Sequence, residues 1–193
     1  LTRLEDIYLP YKPKRKTKAS IAREKGLEPL AKQLMDQGGF NASVFINTDK
    51  GVENEEQALE GARHIIAEQI NEDAEIREKL RGYYQKHAVI KSRVFDSKKE
   101  EGQKYKDYFD WTEDISKSPS HRVLAMRRAE KEGFITLDAS PEEEMAMELL
   151  RKRFVKSISP AGEQVWLAAK DSYKRLLKPS METEIRLASK KKA

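Results

Sequence analysis

Residues Ser140 to Phe154 read SPEEEMAMELLRKRF. A serine followed by a proline is the start of a helix in miniature. The hydroxyl accepts an orphan backbone N–H, and the proline occupies the first helical position, where its missing N–H costs nothing. Glu143 stands three residues after Ser140, the capping-box spacing, and Glu142 to Glu144 put carboxylates at the positive pole of the helix. Met145, Leu149, Leu150 and Phe154 then recur on one face. The same start appears at Ser118-Pro119 and at Ser159-Pro160. Val165, Trp166, Ala169, Tyr173 and Leu176 line a face after the latter, and a last helix from Ser180 carries Met181, Ile185 and Ala188. Gly133 falls where a left-handed residue closes the helix that begins at Pro119.

The same periodicity governs the first half. Ala19 to Gly26 allows a short helix, and Leu27, Leu30, Ala31, Leu34 and Met35 form the face of another that the Gly38-Gly39 pair ends. Leu59, Ala62, Ile66 and Ile70 mark a long helix from Asn54 to Asn71. Ile76, Leu80, Tyr83, Tyr84 and His87 mark the next. Two short stretches are β-leaning, residues 89–95 and 134–139, and they suit each other as strands of one ribbon. The fold class is therefore mostly α, a multi-helix array of about eight helices with one short two-stranded β ribbon. Its expected divisions are a basic extended arm over 1–18, a helical part over 19–96, a charged loop and short helix over 97–118, and a C-terminal helical part over 119–193.

Composition narrows the function. The chain has 193 residues, of which 37% are charged, and 38 Lys and Arg exceed 33 Asp and Glu to give a net charge of +5. It contains no cysteine, which excludes a disulfide framework, a thiolate metal site and a cysteine nucleophile. No apolar run approaches the roughly 20 residues of a membrane-spanning helix, and no secretory signal opens the chain. A cytoplasmic setting with no membrane partner is expected, as a monomer. Leu1 in place of Met is expected of a segment of something longer.

Enzymatic readings find little support. There is no glycine-rich phosphate loop and no Gly-x-Ser-x-Gly elbow. His64, His87 and His121 are isolated in sequence, and the acids Glu142 to Glu144 have a sufficient reason in the helix dipole. No cofactor, metal or catalytic residue is expected. Nucleic-acid binding has a firmer basis. Tyr8 to Lys18 carries Lys12, Lys14, Arg15, Lys16 and Lys18 with no acid, and Pro10 and Pro13 forbid a regular helix through it. Such an arm can neutralise phosphates while Tyr8 and Tyr11 stack on unpaired bases; the equal alternative is a solvated linker whose Tyr8, Leu9 and Tyr11 pack onto the nearest helix. Arg122, Arg127 and Arg128 form a second basic set, for which ion pairs to Glu130, Glu132 or another helix are the competing use.

Several stretches together resemble the Tex family of bacterial transcription accessory proteins. They are LEDIYLPYKPKRKTKA over 4–19, AREKGLEPLA over 22–31, KYKDYF over 104–109, PSHRVLA over 119–125, EKEG over 130–133, DSYKRLLKPS over 171–180 and ETEIR over 182–186. The resemblance runs along nearly the whole chain and is thinnest over 40–79. It implies the helical N-terminal part of a large protein related to a eukaryotic transcription elongation factor. In that family a nuclease-like domain, helix-hairpin-helix elements and an OB-fold RNA-binding domain follow, and no catalysis is expected. The implied function is a non-catalytic contribution to a nucleic-acid-binding scaffold, RNA or DNA, through Lys12, Lys14, Arg15, Lys16, Lys18, Arg122, Arg127 and Arg128. The alternative is a protein–protein docking platform for other domains of the same chain or for the transcription machinery.

Overall fold

The computed structural model describes Arg3, Asp6 and residues 16–191, with side chains from 16 to 188. The described residues form eight α-helices and a three-stranded antiparallel sheet: α1 Lys18–Glu24, α2 Glu28–Asp36, α3 Glu55–Asn71, α4 Ala74–His87, β1 Val89–Val94, β2 Asp110–Asp114, α5 Ser120–Lys131, β3 Ile135–Ser140, α6 Glu143–Phe154, α7 Pro160–Ser172 and α8 Lys178–Lys191. They divide into two compact units, one of residues 1–79 with 147–177, the other of 80–146 with 178–193. No helix among the described residues is long and apolar enough to cross a membrane.

The first unit is built around α3. Asn54 caps it by accepting from Gln57 N at 2.8 Å. The helix buries Ala58, Ala62, Ile65, Ile66 and Ile70 against α1, α2 and α7. Alanines on that face let the neighbouring helices approach closely, and Gly61 allows more: a Cβ there would lie 2.2 Å from Leu27 Cδ1. Leu27, Leu30 and Leu34 are fully buried, and each contributes about 1.5–3 kcal/mol of burial. Thr17 forms a capping box with Ser20 at the head of α1, and its hydroxyl also donates to the buried Glu68 of α3 at 3.0 Å. Arg23 completes that carboxylate's shell at 2.9 Å. Ser172 fastens α7 by donating to Ala67 O at 2.7 Å. Past α7 the ladder widens into a π-helical turn over Tyr173–Leu177, because Pro179 has no N–H to offer the Arg175 carbonyl.

In the second unit the sheet order is β2-β1-β3. The β1–β3 pairing runs from Val89 opposite Ser140 to Val94 opposite Ile135, so the two strands expected from sequence do pair. The third strand is a correction, since β2 arises inside the stretch expected as a charged loop and short helix. Its sequence, Asp110-Trp-Thr-Glu-Asp, has no apolar alternation. It is held instead by its edge position and by cross-strand pairs such as Arg93–Asp110 at 2.7 Å. Helices α5 and α8 pack on β3. Arg186 of α8 ties them together, through Glu130 at 2.9 Å and through the Leu137 carbonyl.

The helix signals divide instructively. Ser159 caps α7, accepting from Gly162 N at 3.0 Å with Pro160 next. Gly133 is left-handed at φ +83° and closes α5 with Gly133 N to Glu130 O and Phe134 N to Ala129 O, both 3.0 Å. Ser118 and Ser140, however, cap nothing. Ser118 donates to Glu113 Oε2 at 3.0 Å. Ser140 is the last residue of β3 and donates to Asp138 Oδ2 at 3.1 Å, because sheet register claims it before a helix can. Helix α6 therefore starts at Glu143 and turns Ala146 and Leu150 inward while Met145 is exposed. Helix α2 is closed by Gln37 in the left-handed region at φ 56°, rather than by Gly38 or Gly39.

Candidate nucleic-acid interface

Of the arm residues, Lys12, Lys14 and Arg15 lie outside the described residues. Lys16 is exposed and stands 3.9 Å from an equally exposed Glu24, a surface pair of little strength. Lys18 opens α1 with an exposed side chain and makes no ion pair among the described residues.

Lys18 has company that sequence reading missed. Helix α1 ends in a Schellman motif: Gly26 N bonds Arg23 O at 3.0 Å and Leu27 N bonds Ala22 O at 3.2 Å. That geometry needs a left-handed residue after Lys25, and Gly26 supplies it at φ +76°. A second turn does the same after Lys50. Asn47 and Val52 exchange backbone bonds of 2.8 and 2.9 Å, Asn47 Oδ1 accepts from Asp49 N at 3.1 Å, and Gly51 turns the chain at φ +81°. Lys50 Nζ lies 3.7 Å from the point a Cβ on Gly26 would occupy, and Lys25 Cε lies 3.9 Å from the matching point on Gly51. Each ammonium group thus rests against the other lysine's turn, and neither meets a carboxylate within 4 Å among the described residues.

A cleft of 280 Å³ opens beside these turns, lined by Lys18, Lys25, Gly51, Gln57, Glu60 and His64. Burial pushes the His64 imidazole below its ordinary range; Asp171 and Glu60 oppose that, while Lys18 and Arg175 add to it. The histidine is therefore neutral near pH 7, and the lysines supply the positive charge. Lys18 and Lys25 on the cleft, with Lys50 against Gly26 beside it, form a basic surface on which phosphates can meet ammonium groups, although Glu60 shares the cleft. The sequence signal was present, in the repeated pair Lys25-Gly26 and Lys50-Gly51, but only folding brings the two copies together.

The second basic set belongs to the other unit. Arg122 is engaged locally: it bonds Glu113 at 2.5 Å and lies 4.9 Å over the Trp111 ring. Partial burial pushes the Glu113 carboxyl up, but bonds from Arg122, Trp111 and Ser118 outweigh it and hold the group below the usual carboxylate range. Arg127 donates to the Arg186 carbonyl at 3.0 Å. Arg128 is exposed on α5 and makes no ion pair among the described residues. Of this trio only Arg122 has an ion pair among the described residues; Arg127 bonds a neutral carbonyl, and Arg128 is exposed with its charge felt by Glu132.

Comparison with known proteins identifies the family. Residues 39–193 match the family described as Tex central region-like. The chain is 40% identical over its whole length to the YdcI protein of Bacillus subtilis, covering 28% of that protein. It is 39% identical over 96% of its length to the YhgF protein of Escherichia coli, covering 26% of it. A protein of Neisseria gonorrhoeae named transcriptional accessory protein Tex is 44% identical over 70% of this chain, which covers 18% of that relative. The chain thus spans about a quarter or less of the relatives it matches. The extent of the match makes this chain a member of the Tex family.

Proposed function

We propose that this chain contributes a non-catalytic, phosphate-contacting surface to a nucleic-acid-binding transcription accessory protein of the cytoplasm. The observation that carries the reading is the seating of Lys25 and Lys50 against two glycine turns, with no carboxylate within 4 Å of either ammonium among the described residues, beside a cleft that Lys18 and Lys25 line together with Glu60. The arm residues Lys12, Lys14, Arg15 and Lys16 extend the same charge along the chain. Arg128 offers a further contact, with Arg122 and Arg127 supporting the helix that carries it. Each phosphate neutralised by such a cation releases condensed counterions, so affinity should depend steeply on salt. The family's role in transcription makes RNA or DNA the natural polyanion.

Exposed apolar side chains favour a second reading. Val44 is 69% and Ile46 39% exposed in the first unit, and a docking platform for other domains or for transcription machinery would extend an apolar patch around them. Fluorescence-anisotropy titration against single- and double-stranded RNA and DNA at two salt concentrations separates the readings. Phosphate contact predicts a log–log salt slope of about −0.9 per contact on duplex DNA. Absence of binding at low salt would overturn the nucleic-acid reading.

A further inference from the structure

Helical periodicity puts Trp166 on the same face as Val165 and Ala169, yet the structure leaves it half-exposed at the wall of an open cleft of 480 Å³. Arg151, Lys156, Ser157, Ser159 and Glu163 line the rest. The Arg151 guanidinium lies 4.4 Å over the Trp166 ring and the Lys170 ammonium 5.2 Å from it. In this unit Arg23, Arg63, Arg77, Arg153 and Arg175 each bond a carboxylate. Arg151 meets none among the described residues, nor does the indole N–H of Trp166 find an acceptor there. An exposed guanidinium over an indole, with no ion pair among the described residues, is available to a ligand, although Glu163 shares the cleft.

The cleft wall is fixed in advance. Gln37 reaches the link between α6 and α7, donating to Phe154 O at 2.6 Å and accepting from Lys156 N at 2.7 Å and Ser157 N at 3.0 Å. Gly162 presses that link against α7 so closely that a Cβ would lie 2.1 Å from Ser157 O. Ser157 and Ser159 share a hydroxyl–hydroxyl bond of 2.7 Å on the same wall. A rigid cleft spends none of its binding free energy on ordering itself.

We propose that the Trp166–Arg151 cleft is a stacking site for an unpaired base of single-stranded nucleic acid. The base stacks on the guanidinium plane that Trp166 supports, while Lys156, Lys170 and the serine hydroxyls contact the adjoining sugar and phosphate. Arginine planes backed by aromatics accept any base, because every base has a π-face. Volume fits too, since the cleft lies within the 300–1,000 Å³ typical of small-ligand sites. An acidic peptide is the rival, and the aromatic ring beside the guanidinium, with the Glu163 carboxylate in the same cleft, favours the base. This inference rests on the nucleic-acid reading but uses none of its lysines.

The test is a titration of the 193-residue chain, carrying Trp111→Phe so that Trp166 alone reports, with oligo-dT and oligo-U. Binding is followed by anisotropy of a labelled oligonucleotide and by tryptophan emission. We expect emission to change as the oligonucleotide saturates, and Arg151→Ala to weaken binding about fivefold or more, with Arg151→Lys recovering charge but not full affinity. Lys25→Gln/Lys50→Gln should weaken binding yet keep the emission change at saturation, so failure of the lysine site and failure of this one are distinguishable. Anisotropy that saturates with unchanged emission, or equal affinity for Arg151→Ala, would overturn the proposal. So would an equal emission change with polyglutamate.

Discussion

Lys25 and Lys50 each place their charged end against the glycine turn that follows the other, with 3.7 Å from Lys50 Nζ to the position of a Gly26 Cβ and 4.0 Å from Lys25 Nζ to that of a Gly51 Cβ. Neither ammonium meets a carboxylate within 4 Å among the described residues, so removing these charges breaks no ion pair. Lys25→Gln/Lys50→Gln should therefore leave Tm unchanged. The same variant should weaken nucleic-acid binding, because two phosphates are left without their ammonium groups. The magnitude of the salt slope should then fall by about 1.4 on single strands and about 1.8 on duplex DNA. A fall in Tm with unchanged binding would show the lysines to be structural.

The turns themselves can be tested apart from their lysines. At Gly26 an added Cβ meets only the far end of Lys50, so the cost of Gly26→Ala is conformational, about 1 kcal/mol or more for a left-handed position. Urea denaturation measures it. Binding should fall alongside, because the Schellman turn positions Lys25.

Gln37 is left-handed at φ 56°, an unusual conformation for a residue with a side chain, and its amide makes four bonds to the α6–α7 link, the one from Ser157 Oγ long at 3.5 Å. These bonds explain why a glutamine stands there and why Gly38 and Gly39 do not end the helix. Gln37→Ala should destabilise by about 2–3 kcal/mol, losing the bonds and keeping the strain. Gln37→Gly loses the same bonds but relieves the conformation, so it should be the less damaging. Equal losses in chemical denaturation would argue against the strain.

Asp138 and Glu182 form a hydrogen-bonded carboxyl pair in the second unit. Burial, the bond to Asp138 and the Asp138 charge raise Glu182 to about 8, although Lys178 and Arg186 oppose this. Burial pushes Asp138 up as well, but bonds from Glu182 and Ser140, with Lys178 and Lys91 nearby, leave it below its ordinary value. The shared proton thus sits on Glu182. Between the unfolded value near 4.5 and about 8 the folded state binds the extra proton, so stability from this group is complete below pH 4.5 and declines as pH rises through 8. Thermal melts should show Tm falling from pH 6 to 9, and Glu182→Gln should flatten that fall. An unchanged decline in the variant would assign the pH dependence elsewhere.

Periodicity and capping act within a turn or two of chain, and for that reason the helices, the Ser159 cap and the Gly133 stop are written in the residues themselves, as is the β-leaning character of the segments that pair as β1 and β3. Features that depend on distant neighbours are set by the folded molecule. Strand β2 exists because β1 offers it an edge, not because Asp110-Trp-Thr-Glu-Asp has strand periodicity. Ser140 serves the sheet although its neighbours spell a helix start, and Trp166 faces a cleft because the α6–α7 link leaves that side of α7 open. The Lys-Gly pairs at 25–26 and 50–51 were legible as residues but not as a site. Two local turns become one basic surface only when burial of α1 against α3 brings their loops together, and no spacing within the chain encodes that approach.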